Sequence, residues 1–413
     1  MPAVVYPLNL SSSEDLDSVI KRIGADPRAA AYVRPKRRTR SLYAKDVDFR
    51  ASAYMKQELL ARGGDAVVSR RVIDASAEKS DVLLLGTDGQ LNSLVKKMEA
   101  MDCWGLRALR EELARVMKNA APEGANAWAL SLPGGRELRL DDRTKIMGIL
   151  NLTTDSFHTA SRVKDIDDLL SRAAAMLADG ADILDVGAES TRPGSTPLPE
   201  EEELNRLIPA LKALRESFPD AVLSADTYKG RVALAAAGSG ADIVNDIGGF
   251  GLDPDMLPRA AETGLPYVLS HIKGTPADMR NVPPYDDLLT EIVRYFHLKI
   301  EEAEKGGLPR NRLILDPGLG FGKEARDNLL LVREIESLGV FGLPILVGYS
   351  RKRFTGAAAA TEGVENRLFG TAALSALMEG RVQITRVHDI RENREALLTA
   401  RAVRKAPRWN SPK

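Results

Sequence analysis

The sequence has little of several features that would define a class of function. It contains one cysteine, Cys103, in 413 residues, which excludes an internal disulfide framework and cysteine-rich metal sites. Its 58 basic and 58 acidic residues give a formal net charge of zero, which argues against binding of nucleic acid or a membrane through overall positive charge. No apolar run approaches the roughly 18 residues of a membrane span. The first residues also lack a basic region followed by a long apolar stretch, so we expect a cytoplasmic protein.

The chain does have enough apolar sequence for a large core, because 44% of its residues are hydrophobic. Its length fits two unequal domains. Residues 1–125 show mixed helix and strand patterns without a chemical motif, which predicts an N-terminal α/β domain of unknown role. After a turn-rich linker, residues 130–132 and 138–140 flank a Pro-Gly-Gly turn, which predicts a β-hairpin.

One local charge excess stands out in the first domain. Five of the eight residues at positions 33–40 are Lys or Arg. Two interpretations are open: a solvated loop, or a docking patch for an acidic partner or domain.

From Lys145 onward, short runs of Ile, Val and Leu alternate with amphipathic helical stretches, a pattern typical of a parallel sheet. Eight strands are predicted, at residues 146–150, 183–186, 222–225, 243–244, 267–270, 313–315, 345–347 and 384–387. The Gly-Ala-Asp-Ile-Leu-Asp stretch at 180–185 recurs as Gly-Ala-Asp-Ile-Val-Asn at 240–245, which indicates a repeating strand–helix unit. Eight such units match a closed barrel of about 250 residues. We therefore predict a (β/α)₈ TIM barrel over residues 126–405, hairpin included, and a tail over 406–413.

In such a barrel the active site lies at the carboxyl ends of the strands. Nearly every predicted strand ends in a polar side chain that could bind a ligand: Asn151, Asp185, Asp226, Asn245, Asp246, His271, Asp316, Ser350, Lys352, Arg386 and His388. Any one of them could merely cap the following helix. The residues after the last two strands, Ser350, Arg351, Lys352, Arg386 and His388, predict an anion site, for which a generic basic rim is the alternative.

Asp226, Asn245 and Asp316 supply hydrogen-bond acceptors without a matching buried cation nearby in the sequence. They fit either a metal cluster or a small ligand rich in N–H donors, such as a fused amino-heterocycle. Zinc catalysis is disfavoured, because no His-x-Glu or Cys-x-x-Cys pattern occurs. The glycine-rich stretch 316–323 lacks Walker spacing, and we interpret it as a turn that makes Phe321 an apolar wall of the pocket. The four glutamates at 200–203 indicate a solvated helix start.

As a set, these motifs resemble those of the dihydropteroate synthases, within the broader pterin-binding barrel superfamily. The matching segments are MGILNLT at 147–153, DVGAESTRPG at 185–194, DTYK at 226–229, NDI at 245–247, HIKGTP at 271–276, DPGLGFGK at 316–323, SRK at 350–352 and RVHD at 386–389. Their order and spacing match over residues 144–400.

The resemblance implies a transferase of folate biosynthesis, which condenses 6-hydroxymethyl-7,8-dihydropterin pyrophosphate with p-aminobenzoate to 7,8-dihydropteroate and pyrophosphate. It implies pterin contacts from Asp226, Asn245, Asp316 and Lys352, p-aminobenzoate contacts from Thr191, Arg192, Phe321 and Ser350, and pyrophosphate contacts from Arg386 and His388. It implies Mg²⁺ as cofactor, held by Asn151, and a catalytic set of Asn151, Asp155, Thr191, Arg192, Lys352, Arg386 and His388. The expected partners are these small molecules and a second copy of the chain.

The first loop departs from the family pattern. Thr154 stands where the family usually has proline, and Thr159 stands where it has a second aspartate. One alternative is therefore a catalytically weak pterin-binding paralogue. Another is a pterin-dependent methyltransferase acting on a corrinoid protein, which would share the barrel but would not need the Ser-Thr-Arg-Pro-Gly loop or the basic cluster at the last two strands.

Overall fold

In a computed structural model, the structure describes residues 3–10, 13–119, 127–141, 143–152, 162–190, 195–361 and 363–407. The chain divides into two units, Met1–Ala125 and Asn126–Pro407. Among the described residues, no helix combines the length and the apolar character that crossing a membrane requires.

The first unit is built around a three-stranded antiparallel sheet in the order β1-β3-β2. Its elements are α1 (Ser13–Ile23), α2 (Ala29–Arg37), β1 (Thr39–Asp48), α3 (Phe49–Leu60), β2 (Asp65–Val68), β3 (Lys79–Thr87), α4 (Asp88–Met98) and α5 (Leu106–Asn119). The alternating burial of β3 places Leu84 in a core with Met55, Leu59 and Met98 from the helices. Every second residue of β3 therefore anchors the helical layer to one face of the sheet.

The basic stretch at 33–40 is not a loop, so that interpretation was wrong. Residues 33–37 belong to α2 and residues 39–40 begin β1. Arg40 is only 7% exposed and forms an ion pair with Asp88 at the start of α4. One of the five basic residues is thus part of the fold of the first unit. The docking patch stays a prediction.

The second unit begins with a hairpin and continues as alternating strands and helices. The hairpin strands are β4 (Trp128–Ser131) and β5 (Glu137–Leu140). The barrel elements are β6 (Lys145–Asn151), α6 (Arg162–Asp179), β7 (Ile183–Gly187), α7 (Glu200–Ser217), β8 (Val222–Asp226), α8 (Gly230–Ala237), β9 (Ile243–Asp246), α9 (Met256–Thr263), β10 (Tyr267–Ser270), α10 (Leu288–Lys305), β11 (Leu313–Asp316), α11 (Ala325–Arg333), β12 (Leu346–Val347), α12 (Arg353–Ala358), α13 (Leu368–Met378), β13 (Ile384–Val387) and α14 (Ile390–Arg404).

The eight predicted barrel strands are confirmed. All are parallel, in the order β11-β10-β9-β8-β7-β6-β13-β12. A single parallel bridge between Leu315 and Ile345 joins the two ends of this order, so the barrel is nearly closed. The strands are buried on both faces, between the interior of the barrel and the helical layer, and this explains their continuous apolar runs.

The repeated Gly-Ala-Asp stretch forms the same turn twice at the amino ends of the barrel strands, which we call the foot. Gly180 and Gly240 take φ values of +100° and +105°, and an arginine side chain lies across each glycine. The following aspartates, Asp182 and Asp242, each accept a backbone N–H from the preceding strand at 2.9 Å. Glycine is favoured at both turns because residues with a Cβ rarely adopt such positive φ values.

The hairpin β4–β5 covers the foot of the barrel with apolar side chains. Leu130, Leu132, Leu138 and Leu140 cluster with inward-facing residues of the barrel strands. Trp128 donates from Nε1 to the backbone oxygen of Gly342 at 3.1 Å. With the foot covered in this way, the interior opens at the carboxyl ends of the strands, which we call the mouth.

Candidate active site

An arginine lies between two carboxylates at the mouth. Arg386, from β13, donates from Nε to Asp185 Oδ2 at 2.6 Å and from Nη2 to Asp226 Oδ2. The Asp185 side chain is fully buried, and that of Asp226 is 10% exposed. Asp226 therefore does contact a partly buried cation. No cation pattern near Asp226 in the sequence indicates it, because Arg386 is 160 residues away along the chain.

Asp185 is the centre of this cluster. Besides Arg386, it accepts from Ser224 Oγ at 2.6 Å and from Asn245 Nδ2 at 3.1 and 3.2 Å. With its amide nitrogen used in this way, Asn245 has its Oδ1 left to accept an N–H from a ligand. This orientation agrees with the acceptor role expected for Asn245.

Burial shifts the titration of several groups at the mouth towards neutral pH. It raises the pKa of Asp226 to about 7, an effect that Arg386 reduces and the Asp185 charge adds to. Burial also raises the pKa of Asp316, against the attraction of Lys352. The Lys352 ammonium is desolvated in turn, which lowers its pKa to about 8. Perturbed groups concentrated at one end of a barrel are typical of a functional site.

Phe321 and Lys352 form one wall of the mouth. The Lys352 ammonium lies 4.3 Å from the centroid of the Phe321 ring, a distance at which a cation is attracted to an aromatic face. The same Nζ donates to the backbone oxygen of Leu319. The two predicted side chains, 31 positions apart in the chain, are therefore in contact.

Ser350 and His388 lie together at the ends of β12 and β13. Ser350 Oγ accepts from the backbone N–H of His388 at 3.2 Å and lies 3.0 Å from its Nδ1. Arg351, from the same basic motif, points elsewhere: its φ is +56°, and its Nε donates to Asp389 Oδ2 at 2.9 Å. Arg351 is thus held by Asp389, and an anion site at Ser350, Lys352, Arg386 and His388 stays a prediction.

Asn151 ends β6 with an exposed side chain. Arg172 donates to its backbone oxygen at 3.3 Å, which leaves the amide oxygen of the side chain for another partner. No group of three His, Cys, Asp or Glu side chains suited to a metal occurs in the described part of the chain. One amide oxygen suits Mg²⁺ only when substrate phosphates and water complete its coordination, as is common for this ion. The residues present fit a metal ion that binds together with an anionic substrate.

A second buried ion cluster beside the mouth was missed by the sequence prediction. Lys229, directly after β8, donates from Nζ to Glu189 Oε2 at 2.5 Å, to Glu203 Oε2, and to the backbone oxygen of Leu198 at 2.8 Å. Glu203 is 1% exposed, so the interpretation of residues 200–203 as wholly solvated was wrong for this position. The cluster ties the segment before α7 to the end of β8.

Nine of the predicted site residues are described, and all lie on the ends of barrel strands or directly after them: Asn151, Asp226, Asn245, Asp316, Phe321, Ser350, Lys352, Arg386 and His388. Asp155, Thr191 and Arg192 lie outside the described residues, as do Thr154 and Thr159. The sequence pattern places Asp185 at a strand end but assigns it no ligand, although a carboxylate within an apolar strand motif indicates a buried polar contact.

A family model described as pterin binding enzyme matches residues 147–388. The dihydropteroate synthase of Escherichia coli strain K12 is 42% identical over 259 residues, which cover 62% of this chain and 90% of that protein. The chain belongs to the dihydropteroate synthase family.

Solved structures of the family are similar to the second unit. The Yersinia pestis dihydropteroate synthase in a sulfonamide drug complex has a TM-score of 0.62 at 41% identity, over 67% of this chain and 100% of that one. The Xanthomonas albilineans enzyme with 4-aminobenzoic acid has a TM-score of 0.62 at 37% identity, over 68% of this chain and 100% of that one. These likenesses confirm the predicted barrel.

Longer relatives also match. A probable bifunctional folylpolyglutamate synthase/dihydropteroate synthase of Haloferax volcanii is 35% identical over 98% of this chain and 48% of its own length. The Arabidopsis thaliana mitochondrial folate synthesis bifunctional protein is matched over 50% of its length. The chain therefore spans about half the length of these curated relatives.

Proposed function

We propose that the chain is a dihydropteroate synthase, a transferase of folate biosynthesis. In this reaction the bond between the methylene carbon of 6-hydroxymethyl-7,8-dihydropterin pyrophosphate and the pyrophosphate oxygen breaks. A C–N bond forms from that carbon to the amine nitrogen of p-aminobenzoate, and this nitrogen loses one proton. The observation that carries the proposal is the buried Asp185–Arg386–Asp226 cluster at the mouth of a barrel that belongs to this family.

The pterin would bind to the acceptors of the mouth. Asp226, Asn245 and Asp316 present carboxylate and amide oxygens, which suit the N–H groups along one edge of an amino-pterin. A site of this kind rejects analogues that lack the donors, because the buried acceptors would stay unpaired. Lys352, with its pKa lowered to about 8 by burial, lies beside Asp316 and is assigned to the pterin as well.

The leaving pyrophosphate would bind where the last two strands end. Arg386 and His388 are assigned to it, because a guanidinium and an imidazole donate charge-assisted hydrogen bonds to phosphoryl oxygens. Asn151 would hold Mg²⁺ together with the pyrophosphate oxygens, and the ion would neutralise charge that develops on the leaving group. Asp155 in the first loop completes the proposed catalytic set.

The p-aminobenzoate would lie against Phe321 and Ser350. The aromatic ring of Phe321 offers an apolar wall, and the Ser350 hydroxyl offers a donor for a carboxylate. Thr191 and Arg192 are assigned to the same ligand. The contact between Phe321 and Lys352 supports these roles, because Lys352 is assigned to the pterin.

A direct assay tests the proposal. Purified protein is mixed with the pterin pyrophosphate, p-aminobenzoate and Mg²⁺, and both products are measured. We expect 7,8-dihydropteroate and pyrophosphate in equal amounts, with no dihydropteroate when p-aminobenzoate is omitted. Pterin binding without product would contradict the enzyme assignment and favour the weak paralogue.

The proposal extends to a homodimer. Helices α13 and α14 expose large apolar side chains, with Phe369 84%, Leu377 57%, Leu398 48% and Val403 75% exposed. Such a surface is typical of an association site. Sedimentation of the purified chain should give twice the 44.9 kDa protomer mass, and Phe369→Glu should shift it towards the monomer. A monomeric wild-type chain at micromolar concentration would contradict this part.

Location and domain organisation complete the proposal. A cytoplasmic enzyme fits the free thiol of Cys103, which needs a reducing compartment to stay unpaired. Residues 1–125 are proposed as a separate α/β domain without a catalytic residue, and residues 126–405 as the catalytic barrel with its hairpin.

A further inference from the structure

The glycine-rich segment 317–323 is packed directly on the residues that follow β10. Gly318, Gly320 and Gly322 have φ values of +64°, +82° and +62°. A Cβ on Gly318 would lie 1.8 Å from the backbone oxygen of His271, and one on Gly322 would lie 2.2 Å from that of Lys273. The backbone path that carries Phe321 is therefore available only to glycine at these positions.

Lys323 fastens this segment from its inner side. Its Nζ lies 2.9 Å from His271 Nδ1, 3.0 Å from the backbone oxygen of Gly318 and 3.1 Å from that of Phe321. A protonated amine has three N–H donors, and these three acceptors use all of them.

The contact with His271 fixes the state of its ring. When Lys323 is charged, its ammonium group can only donate, so His271 Nδ1 accepts and the ring proton is on Nε2. His271 is 6% exposed, and burial together with the charge of Lys323 holds its pKa well below the usual value. The neutral imidazole is therefore an acceptor for the charged form of Lys323. These acceptors favour the charged amine, against the burial that lowers the pKa of Lys323 to about 7.

Two further contacts hold the same segment from outside. Lys352 donates to the backbone oxygen of Leu319, and Asn328 Oδ1 accepts the backbone N–H of Gly320 at 2.6 Å. Four consecutive residues, 318–321, are thus held by the side chains of Lys323, Asn328 and Lys352. Among these contacts, only those of Lys323 reach the backbone of Phe321 itself.

We propose that Lys323 is a positioning residue that sets the p-aminobenzoate side of the site by fastening Phe321 to His271. The inference rests on the proposed function and adds to it a residue with no contact to the reacting atoms. Two of the pterin acceptors, Asp226 and Asn245, lie on other strands and do not contact Lys323. The third, Asp316, accepts the backbone N–H of Gly318 at 2.8 Å, but it belongs to β11 and is held there by pairing with β10. Loss of Lys323 should therefore affect one substrate more than the other.

The test compares the Michaelis constants of the two substrates. Lys323→Met keeps the length of the side chain and removes its donors. We expect KM for p-aminobenzoate to rise about tenfold, as for the loss of one or two hydrogen bonds that fix a wall, and KM for the pterin pyrophosphate to change less than twofold. Lys305→Met, on an exposed lysine paired with Glu301, is the matched control and should change neither constant.

His271 supplies a second pair of variants. His271→Gln keeps an acceptor for Lys323, and His271→Leu removes it, so the leucine variant should raise KM for p-aminobenzoate more than the glutamine variant. If Lys323→Met does not fold, the two His271 variants test the proposal, again by comparing KM for p-aminobenzoate with KM for the pterin pyrophosphate. Equal rises in both constants, or a lower melting temperature with both constants unchanged, would overturn the proposal. A wild-type chain without condensation activity would instead refute the proposed function.

Discussion

The two ends of the barrel both bury aspartates, but they balance the charge differently. At the foot, the fully buried Asp242 has two arginines, Arg136 and Arg215, in ion pairs with its two oxygens. At the mouth, Arg386 forms ion pairs with both Asp185 and Asp226. Asp242 at the foot therefore contacts more cations than there are carboxylates, whereas in the Asp185–Arg386–Asp226 cluster at the mouth two carboxylates contact one cation.

This difference indicates that the buried aspartate at the foot stabilises the fold, whereas the carboxylates at the mouth are suited to ligand binding. A buried carboxylate with its own partners stabilises one arrangement, whereas Asp226 shares its cation with Asp185 and its pKa is raised by burial. The burial that raises the pKa of Asp226 to about 7 is the measurable sign of this. The mouth therefore suits a ligand with N–H donors. The foot does not, because the hairpin covers it and Asp242 already has its partners.

The strongest test of the mouth removes its shared cation. Arg386→Met should lower kcat/KM about a thousandfold, on the order of 4 kcal/mol, because a pyrophosphate contact is lost and two carboxylates lose their counter-charge. Steady-state kinetics with both substrates measure the effect. Arg391→Met, on an exposed arginine of α14, is the matched control and should stay within twofold. A loss of less than tenfold for Arg386→Met would remove Arg386 from the proposed site.

The corresponding test of the foot should change stability and spare activity. Asp242→Ala leaves two arginines and a backbone N–H without their acceptor, so the free energy of unfolding should fall by about 3 kcal/mol. Urea unfolding measures it, with kcat/KM of the folded fraction expected to stay within threefold. Asp220→Ala, at an exposed aspartate just before β8, should be neutral. A stable but inactive Asp242→Ala variant would contradict the division between foot and mouth.

A smaller effect concerns pH. Ionised Asp226 accepts N–H donors with two charged oxygens, whereas the protonated acid is a weaker acceptor. Pterin affinity should therefore rise about tenfold from pH 6 to pH 8 as its carboxyl titrates near pH 7. Its effect on stability has the opposite sign. A folded pKa raised above the unfolded value favours the fold at low pH, and this contribution is lost as pH rises through 7.

Asp226→Asn isolates both effects, because the amide does not titrate. Calorimetric titration with a pterin substrate analogue should give a weaker affinity without the rise between pH 6 and 8. Urea unfolding should show less loss of stability between about pH 4 and pH 7 than in the wild type. An unchanged pH profile for the asparagine variant would show that another group controls pterin binding.

The sequence was sufficient for the strands and the location of the site, for a physical reason. Strands buried on both faces have continuous apolar runs, and their carboxyl ends meet at one end of a barrel. This is why Asp226, Asn245 and Asp316 could be grouped before their positions were known. The ion pair between Arg386 and Asp226 could not be predicted in this way, because the two residues are 160 positions apart and no local sequence pattern links them.

Two other differences between expectation and structure depend on single residues. Arg351 and Lys352 are adjacent in one basic motif, yet the positive φ of Arg351 turns its guanidinium to Asp389 while Lys352 reaches the mouth. Glu203 belongs to a run of four glutamates at a helix start, yet packing against Lys229 buries it. Neither the backbone turn nor the packing alters hydrophobic periodicity, which is the signal that sequence prediction uses.

The smallest expected effect concerns the first unit. A variant lacking residues 1–125 should retain kcat/KM within about threefold, because the remaining unit is similar to whole chains of solved dihydropteroate synthases. A variant lacking residues 1–141 differs from it only by the hairpin, whose four leucines cover apolar side chains at the foot. Exposing that cluster should make the shorter variant unstable or insoluble, as measured by thermal unfolding. If instead residues 1–125 were needed for activity in a folded barrel, the mouth would depend on more than its own strand ends.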